Sequence, residues 1–400
     1  MKQKPIFTAI CAVGIFVLCF SLIGCKQKIE VSAESVPADK NVQPPVLNVF
    51  IENSGSMDGY MCAGSQLKDA VYDYVSELNR YTEATKLYYI NSDTIPYKGS
   101  LQSYIKDLDP TKFSKAGGNR SNTDLGNIVG RVLNTVTDTT VTIFISDCIL
   151  DLPSKDAQKF LTNCEITIKE EIISTIKRVP DLGVEILKLT SDFSGRYFYP
   201  NGSVETLKDV KRPYYMWIFG KKEILAYLNK NVPLSQLDRY DLKGITSFTS
   251  LSSMPFEVKN SHNTGNVVTA NRDGDFQITL LMDLSSSLQP ENVILDKNNF
   301  GFNGQSLIVE GVYPISAKSS NFTHFAKVTI PKDVKIAQES LIFYSPKIAT
   351  WVAASNDESG ANVLDNMDKT TGILYLIQGV ADAYRNEQVL AIFNFKVKQK

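Results

Sequence analysis

Val49-Phe50-Ile51-Glu52-Asn53-Ser54-Gly55-Ser56-Met57 sets an apolar strand directly against one carboxylate and two hydroxyls. The stretch from Val46 to Ile51 is close to continuously apolar, as expected of a central strand buried on both faces. Ser54 and Ser56 can aim at one point from a single turn. A hard cation such as Mg²⁺ takes oxygen ligands at about 2.0–2.1 Å and keeps several waters, so this loop has the donors such an ion needs.

Outward from that loop, strands alternate with helices. Gln66 to Tyr81 places Leu67, Ala70, Val71, Tyr74, Val75 and Leu78 on one helical face. A strand from Lys86 to Ile90 and a short helix from Leu101 to Leu108 follow. Asn122 is placed to cap a helix running from Thr123 to Leu133. Val141 to Ser146 reads as a strand, Asp156 to Val179 as a long helix, Val184 to Leu189 and Tyr214 to Phe219 as strands, and Lys221 to Asn229 as a helix. This alternation predicts an α/β fold with a doubly wound parallel sheet. In such sheets ligands bind beyond the carboxyl ends of the strands. Glu52, Ser54, Ser56 and Asp147 fall there.

The first loop resembles that of the von Willebrand factor A domain family, whose metal-ion-dependent adhesion site reads Asp-x-Ser-x-Ser. Glu52 stands where the family carries Asp. Two further segments continue the pattern in order: Gly117-Gly118-Asn119-Arg120-Ser121-Asn122-Thr123-Asp124-Leu125-Gly126, and the strand Val141-Thr142-Ile143-Phe144-Ile145-Ser146 ending in Asp147-Cys148, where the family has Ser/Thr-Asp-Gly. Over residues 46–230 the resemblance implies Ser54, Ser56 and Thr123 as direct ligands. Glu52 and Asp147 would neutralise charge and orient waters. It implies Mg²⁺, or Mn²⁺ or Ca²⁺, and a protein partner whose acidic side chain completes the coordination. The extra methylene of Glu52 moves its carboxylate by roughly 1.5 Å. Direct contact with the metal, a compensating loop shift and a metal-free, hydrogen-bonded loop all remain open. Asp124 reads as a capping-region acid at its helix start. Tyr60 and Met61 read either as an apolar rim or as residues buried under the loop.

At the other end of the argument stands the N-terminus. Lys2 and Lys4 precede an apolar run too short to span a bilayer, closing on Leu22-Ile23-Gly24-Cys25. This resembles a bacterial lipobox, which implies a signal peptide over residues 1–24, a lipid on Cys25 and a cell-envelope location. Residues 25–45 read as a tether. Cys11 and Cys19 would leave with the signal, so Cys62, Cys148 and Cys164 remain for the folded part. In the family's sheet order Cys62 and Cys148 end neighbouring strands and could pair. A Cys148–Cys164 bridge and three reduced, buried thiols are equally open.

Residues 231–256 read as a connector and residues 257–400 as a smaller, β-rich, sandwich-like domain. Its candidate strands are Asp275 to Leu281, Ser306 to Val312, Ala326 to Ile330, Ser340 to Tyr344 and Val389 to Val397, interrupted by one helix from Thr371 to Tyr384. The 42 Lys and Arg residues are scattered among 43 acids, with no basic stripe, which excludes the footprint of a nucleic-acid binder. Only His262 and His324 are present, and no metalloprotease, nucleophile-elbow or phosphate-loop motif occurs, so the chain does not read as an enzyme. The expectation is a lipid-anchored envelope protein that binds a protein partner through a divalent cation. The alternative is a metal-free scaffold subunit of an envelope assembly or export complex.

Overall fold

The strand Val46–Glu52 is buried at every position after Val46, so it needs apolar or satisfied neighbours on both faces. It finds them between two parallel partners, Ala84–Ile90 on one side and Thr140–Ser146 on the other. The computed structural model describes residues 27–33, 42–120, 124–153, 155–199, 202–259, 267–304, 307–316, 320–345, 348–385 and 389–400. The signal peptide, Cys25, Thr123 and His262 lie outside the described residues. No helix among the described residues is long and apolar enough to cross a membrane.

Along the chain the first eight strands are β1 Lys28–Ala33, β2 Val46–Glu52, β3 Ala84–Ile90, β4 Thr94–Tyr97, β5 Thr140–Ser146, β6 Leu182–Phe198, β7 Val204–Lys221 and β8 Leu242–Phe248. Seven of them form one sheet in the order β4-β3-β2-β5-β7-β6-β8. The α/β character holds, but the sheet is mixed. Only β3, β2 and β5 run parallel; every other pairing is antiparallel. The cause is local. β6 turns directly into β7, and a short connection can only join antiparallel strands, whereas a parallel pair needs a crossover.

Alternation along the strands feeds two cores. Leu47, Val49 and Ile51 meet the helices Gln66–Leu78 and Lys222–Asn231, while Phe50, Phe144 and Trp217 meet Leu125–Leu133 and Ala157–Arg178. Asp124 caps the helix Leu125–Leu133, accepting from the Asn127 N–H at 3.2 Å; Asn122, expected as the cap, lies outside the described residues.

The remaining strands are β9 Phe256–Lys259, β10 Val267–Thr269, β11 Phe276–Met282, β12 Phe300–Phe302, β13 Ile308–Pro314, β14 His324–Ile330, β15 Gln338–Tyr344, the short parallel pair β16 Asn356–Asp357 and β17 Thr370–Thr371, and β18 Val389–Gln399. A five-stranded sheet, β10-β1-β18-β15-β12, and a four-stranded sheet, β13-β14-β11-β9, enclose a shared core that includes Ile29, Val31, Leu280, Phe343 and Phe393.

Three expected boundaries are corrected here. Lys28–Ala33, expected in a tether, is a strand held between β10 and β18, because Ile29 and Val31 alternate into the sandwich core. Leu242–Phe248, expected in a connector, is the edge strand β8 of the seven-stranded sheet. The helix Ile373–Ala383, expected inside the β-rich domain, packs with Ala157–Arg178 and contributes Ile373, Leu376, Ile377 and Val380 to the core under Phe144 and Trp217. A side chain at Gly379 would meet the Glu165 carbonyl at 2.5 Å, so glycine permits the close approach of the two helices.

Candidate metal centre

Because β2 and β5 are parallel neighbours in register, they deliver Glu52 and Ser146-Asp147 to the same edge of the sheet. Glu52 is 2% exposed and Asp147 1%. The Ser146 hydroxyl donates to Glu52 and accepts from the Cys148 N–H at 2.7 Å, so the end of β5 holds the Glu52 side chain in place. Asp147 Oδ1 accepts from the Ile149 N–H at 3.3 Å, while its Oδ2 is buried without a hydrogen-bond partner. The Ser54 and Ser56 hydroxyls stand 3.0 Å apart.

Electrostatics follow from this burial. The Glu52 carboxyl is pushed up to about 8, first by burial and then by the Asp147 charge; hydrogen bonds from Ser146 and Ser54 oppose the shift. Burial also raises Asp147, opposed by the nearby Ser56 hydroxyl, the Ile149 N–H and the positive field of Arg212. Two carboxyls that repel one another and one orphaned oxygen are a configuration that a cation relieves. The donor set is all oxygen, with two carboxylates and two hydroxyls, which fits Mg²⁺ or Mn²⁺ carrying additional waters. No cluster of three or more His, Cys, Asp or Glu is present among the described residues.

Two residues that sequence reasoning left without a role fix the Ser54 turn. Arg120 donates from Nε to Asn53 Oδ1 at 2.6 Å and from Nη2 to the Ser54 carbonyl at 2.8 Å, and it pairs with Asp58. Asn53 in turn donates to the Phe113 carbonyl at 3.1 Å. The expected ligand Thr123 follows Arg120 by three positions, outside the described residues. Tyr60 and Met61 are buried, and the Tyr60 hydroxyl donates to the Pro213 carbonyl at 2.5 Å.

A ribbon walls the site. β7 pairs with β5 only as far as Ser146↔Tyr215, and β6 pairs with β8 only from Val184 to Leu189, so the rest of the β6–β7 hairpin projects past the sheet edge. It docks back on the first loop through glycines. A Cβ at Gly195 would stand 2.5 Å from Gly59 Cα, and one at Gly59 would strike Phe193 at 2.3 Å. The Tyr60 and Phe193 rings meet edge to face at 4.9 Å. The result is a cavity of about 380 Å³ lined by Glu52, Ser54, Ser56, Arg120, Arg196 and Phe198 among others, and by Thr371, whose carbonyl accepts from the Leu150 N–H at 3.1 Å.

Of the open options for the cysteines, neither bridge is formed; Cys62, Cys148 and Cys164 are free. Cys148 turns into the core that holds Phe144 and Trp217, while Met61, beside Cys62, belongs to the core on the other face of the sheet. Burial raises the Cys148 thiol well above its ordinary range, which keeps it protonated.

No family model matches this chain, and no curated protein matches it. Among solved structures, the human COPII-coat protein Sec24c is similar over 76% of this chain and 46% of its own, at 8% identity and a TM-score of 0.18. This chain therefore spans less than half of that protein's length, and a likeness of this degree carries no argument about fold or function.

Proposed function

We propose that the chain is a lipid-anchored protein of the bacterial cell envelope whose α/β unit, a von Willebrand factor A-like domain, binds a protein partner through a divalent cation. Ser54, Ser56 and Thr123 would ligate the ion directly. Glu52 and Asp147 would supply the negative charge and orient its waters. When bound, the ion offers an acidic group of the partner a coordination position that no neutral surface could match. The observation that carries this reading is the buried, partnerless Oδ2 of Asp147 beside a second buried carboxyl at the ends of two parallel strands. The reading includes no catalytic role.

The test is calorimetric titration of Mg²⁺, then Mn²⁺, into the chain from Lys26 onward, with Asp147→Ala alongside. Saturable heat that vanishes in the variant supports the reading. Absence of heat and of any thermal shift in the unsubstituted protein refutes it. A second reading, the metal-free scaffold of an envelope assembly, draws on one observation: burial and the Asp147 charge push the Glu52 carboxyl up to about 8, so it can stay protonated at neutral pH with no ion present. It predicts that Asp147→Ala alters stability alone.

A further inference from the structure

The sandwich has two unlike ends, and the chain enters at one of them. β1 begins at Lys28, and its register with β18, Ile29↔Gln399, puts Gln399 and Lys400 beside that start. β10 arrives at the same end, Lys28↔Thr269, where the Ala270 N–H donates to the Gln27 carbonyl at 3.0 Å. The turn after β10 closes with Asn271 N–H donating to the Asp275 carbonyl at 2.8 Å, and β11 then sets out from Phe276 opposite Ile330. The loop following Ile330 lies there too, since the Lys332 N–H donates to Asp275 Oδ1 at 3.1 Å and the Val397 N–H to the Ala337 carbonyl at 2.9 Å.

This end therefore gathers Lys28, Arg272, Lys332, Lys335, Lys398 and Lys400, all exposed. They outnumber the acids there, Glu30, Asp273, Asp275 and Asp333, of which Glu30 pairs with Lys400 at 3.3 Å. The opposite end joins the α/β unit. Ser252 bridges Ala391 there, and Gln289 Nε2 donates to the Ser247 carbonyl at 3.2 Å. The eleven residues of β18 run from one end toward the other, a span of roughly 35 Å.

We propose that the basic end of the sandwich is a membrane-contact surface for anionic phospholipid headgroups, and that the sandwich is a seated pedestal rather than a body on a long tether. The proposal rests on the lipid-anchor reading for its geometry. Cys25 precedes Lys28 by three positions, which allows at most about 10 Å between a lipidated residue and the start of β1. A lipid chain and a cluster of basic side chains are two signals that act together at an anionic surface. The α/β unit, at the far end, is presented away from the bilayer.

The test uses the full lipidated chain in vesicles with nitroxide-headgroup lipids. A fluorophore on Gln399→Cys, in a Cys62→Ser background, is expected to be strongly quenched, while one on Tyr72→Cys in the α/β unit is not. Equal quenching at the two positions, or none at either in vesicle-bound protein, overturns the proposal. The second arm takes the unlipidated Cys25→Ser chain at low ionic strength. It is expected to bind phosphatidylglycerol vesicles and not phosphatidylcholine ones, with K332Q/K398Q about thirtyfold weaker. Binding that ignores headgroup charge, or no binding at all, refutes the basic surface. Mass spectrometry of the native chain separates the two readings. If Cys25 carries no lipid, the anchor reading fails, while the second arm still decides the fate of the basic end.

Discussion

Glu52 and Glu185 sit on strands of the same sheet, both wholly buried and both pushed up to about 8 with burial as the leading cause, yet their surroundings make them different devices. Glu185, on β6, faces the helix Lys222–Asn231 and accepts from Asn229 Nδ2 at 2.7 Å; its other oxygen has no partner. Its neighbourhood is enclosed, with Tyr74 close by. Glu52 ends β2 at the sheet edge, beside a second carboxyl and two hydroxyls, and opens into the 380 Å³ cavity. A buried acid with an orphaned oxygen is by itself only a destabilised group. Convergent donors and an opening are what allow an ion to reach it and relieve it.

The sharpest way to break this contrast is to compare Mg²⁺ affinity in Asp147→Ala and Glu185→Gln by calorimetry. Removing Asp147 should weaken binding at least about 100-fold, while Glu185→Gln should leave it unchanged. Equal losses would show that the heat does not report on the sheet edge.

Stability separates the two acids next. Glu185 has a folded pKa of about 8 against an ordinary value of 4.5, so between those values the folded chain holds a proton that the unfolded chain releases. The stabilisation from that proton is complete below the unfolded value and lost as pH rises through 8. Gln is neutral throughout. Between pH 5 and pH 8 the unsubstituted chain should therefore lose about 3–4 kcal/mol relative to Glu185→Gln. Urea denaturation at the two pH values measures this; parallel curves would mean that Glu185 is not held protonated by its burial.

Glu52 titrates over the same window, but there the ion competes with the proton. A carboxyl supplies the charge that balances the ion only in its ionised form. Mg²⁺ affinity should climb about tenfold per pH unit up to about 8 and then level. Calorimetry in buffers of different ionisation enthalpy should register the released proton, and a flat profile from pH 6 to 8 would deny Glu52 its place in the site.

The same contrast explains what the sequence could disclose. Glu52, Ser54, Ser56 and Asp147 were legible because each follows an unbroken apolar strand, and strand ends are where such sheets present their ligands. The contacts that fix them were not. Arg120 reaches Asn53 across 67 positions, and no local pattern announces that bond. The ribbon beyond Leu189 begins Thr190-Ser191-Asp192, a polar stretch with little strand signal, and it is held by its own hairpin pairing and by the Gly59–Gly195 contact. β8 lies at a sheet edge, where Lys243 and Gly244 are tolerated and the apolar signal fades. For Ile373–Ala383 the helical period was plain, but the period cannot say which body the apolar face will meet. Ala157–Arg178, some 200 positions earlier in the chain, decided that.

The smallest effect lies one residue beyond Asp147. Cys148 has φ 54°, in the left-handed region that favours glycine, at the position where the resembling pattern carries Gly. A non-glycine residue there costs about 1–2 kcal/mol. Glycine would remove that strain but surrender a buried thiol and add roughly 1 kcal/mol of chain entropy to be lost on folding. Cys148→Gly should therefore shift stability by under about 1 kcal/mol and leave Mg²⁺ affinity intact. Cys148→Val fills similar space but resists the left-handed region, and the Cys148 N–H is what anchors the Ser146 hydroxyl that holds Glu52. Valine should lower both stability and Mg²⁺ affinity. If glycine and valine lowered the affinity alike, the thiol itself, rather than the backbone it occupies, would be what supports the site.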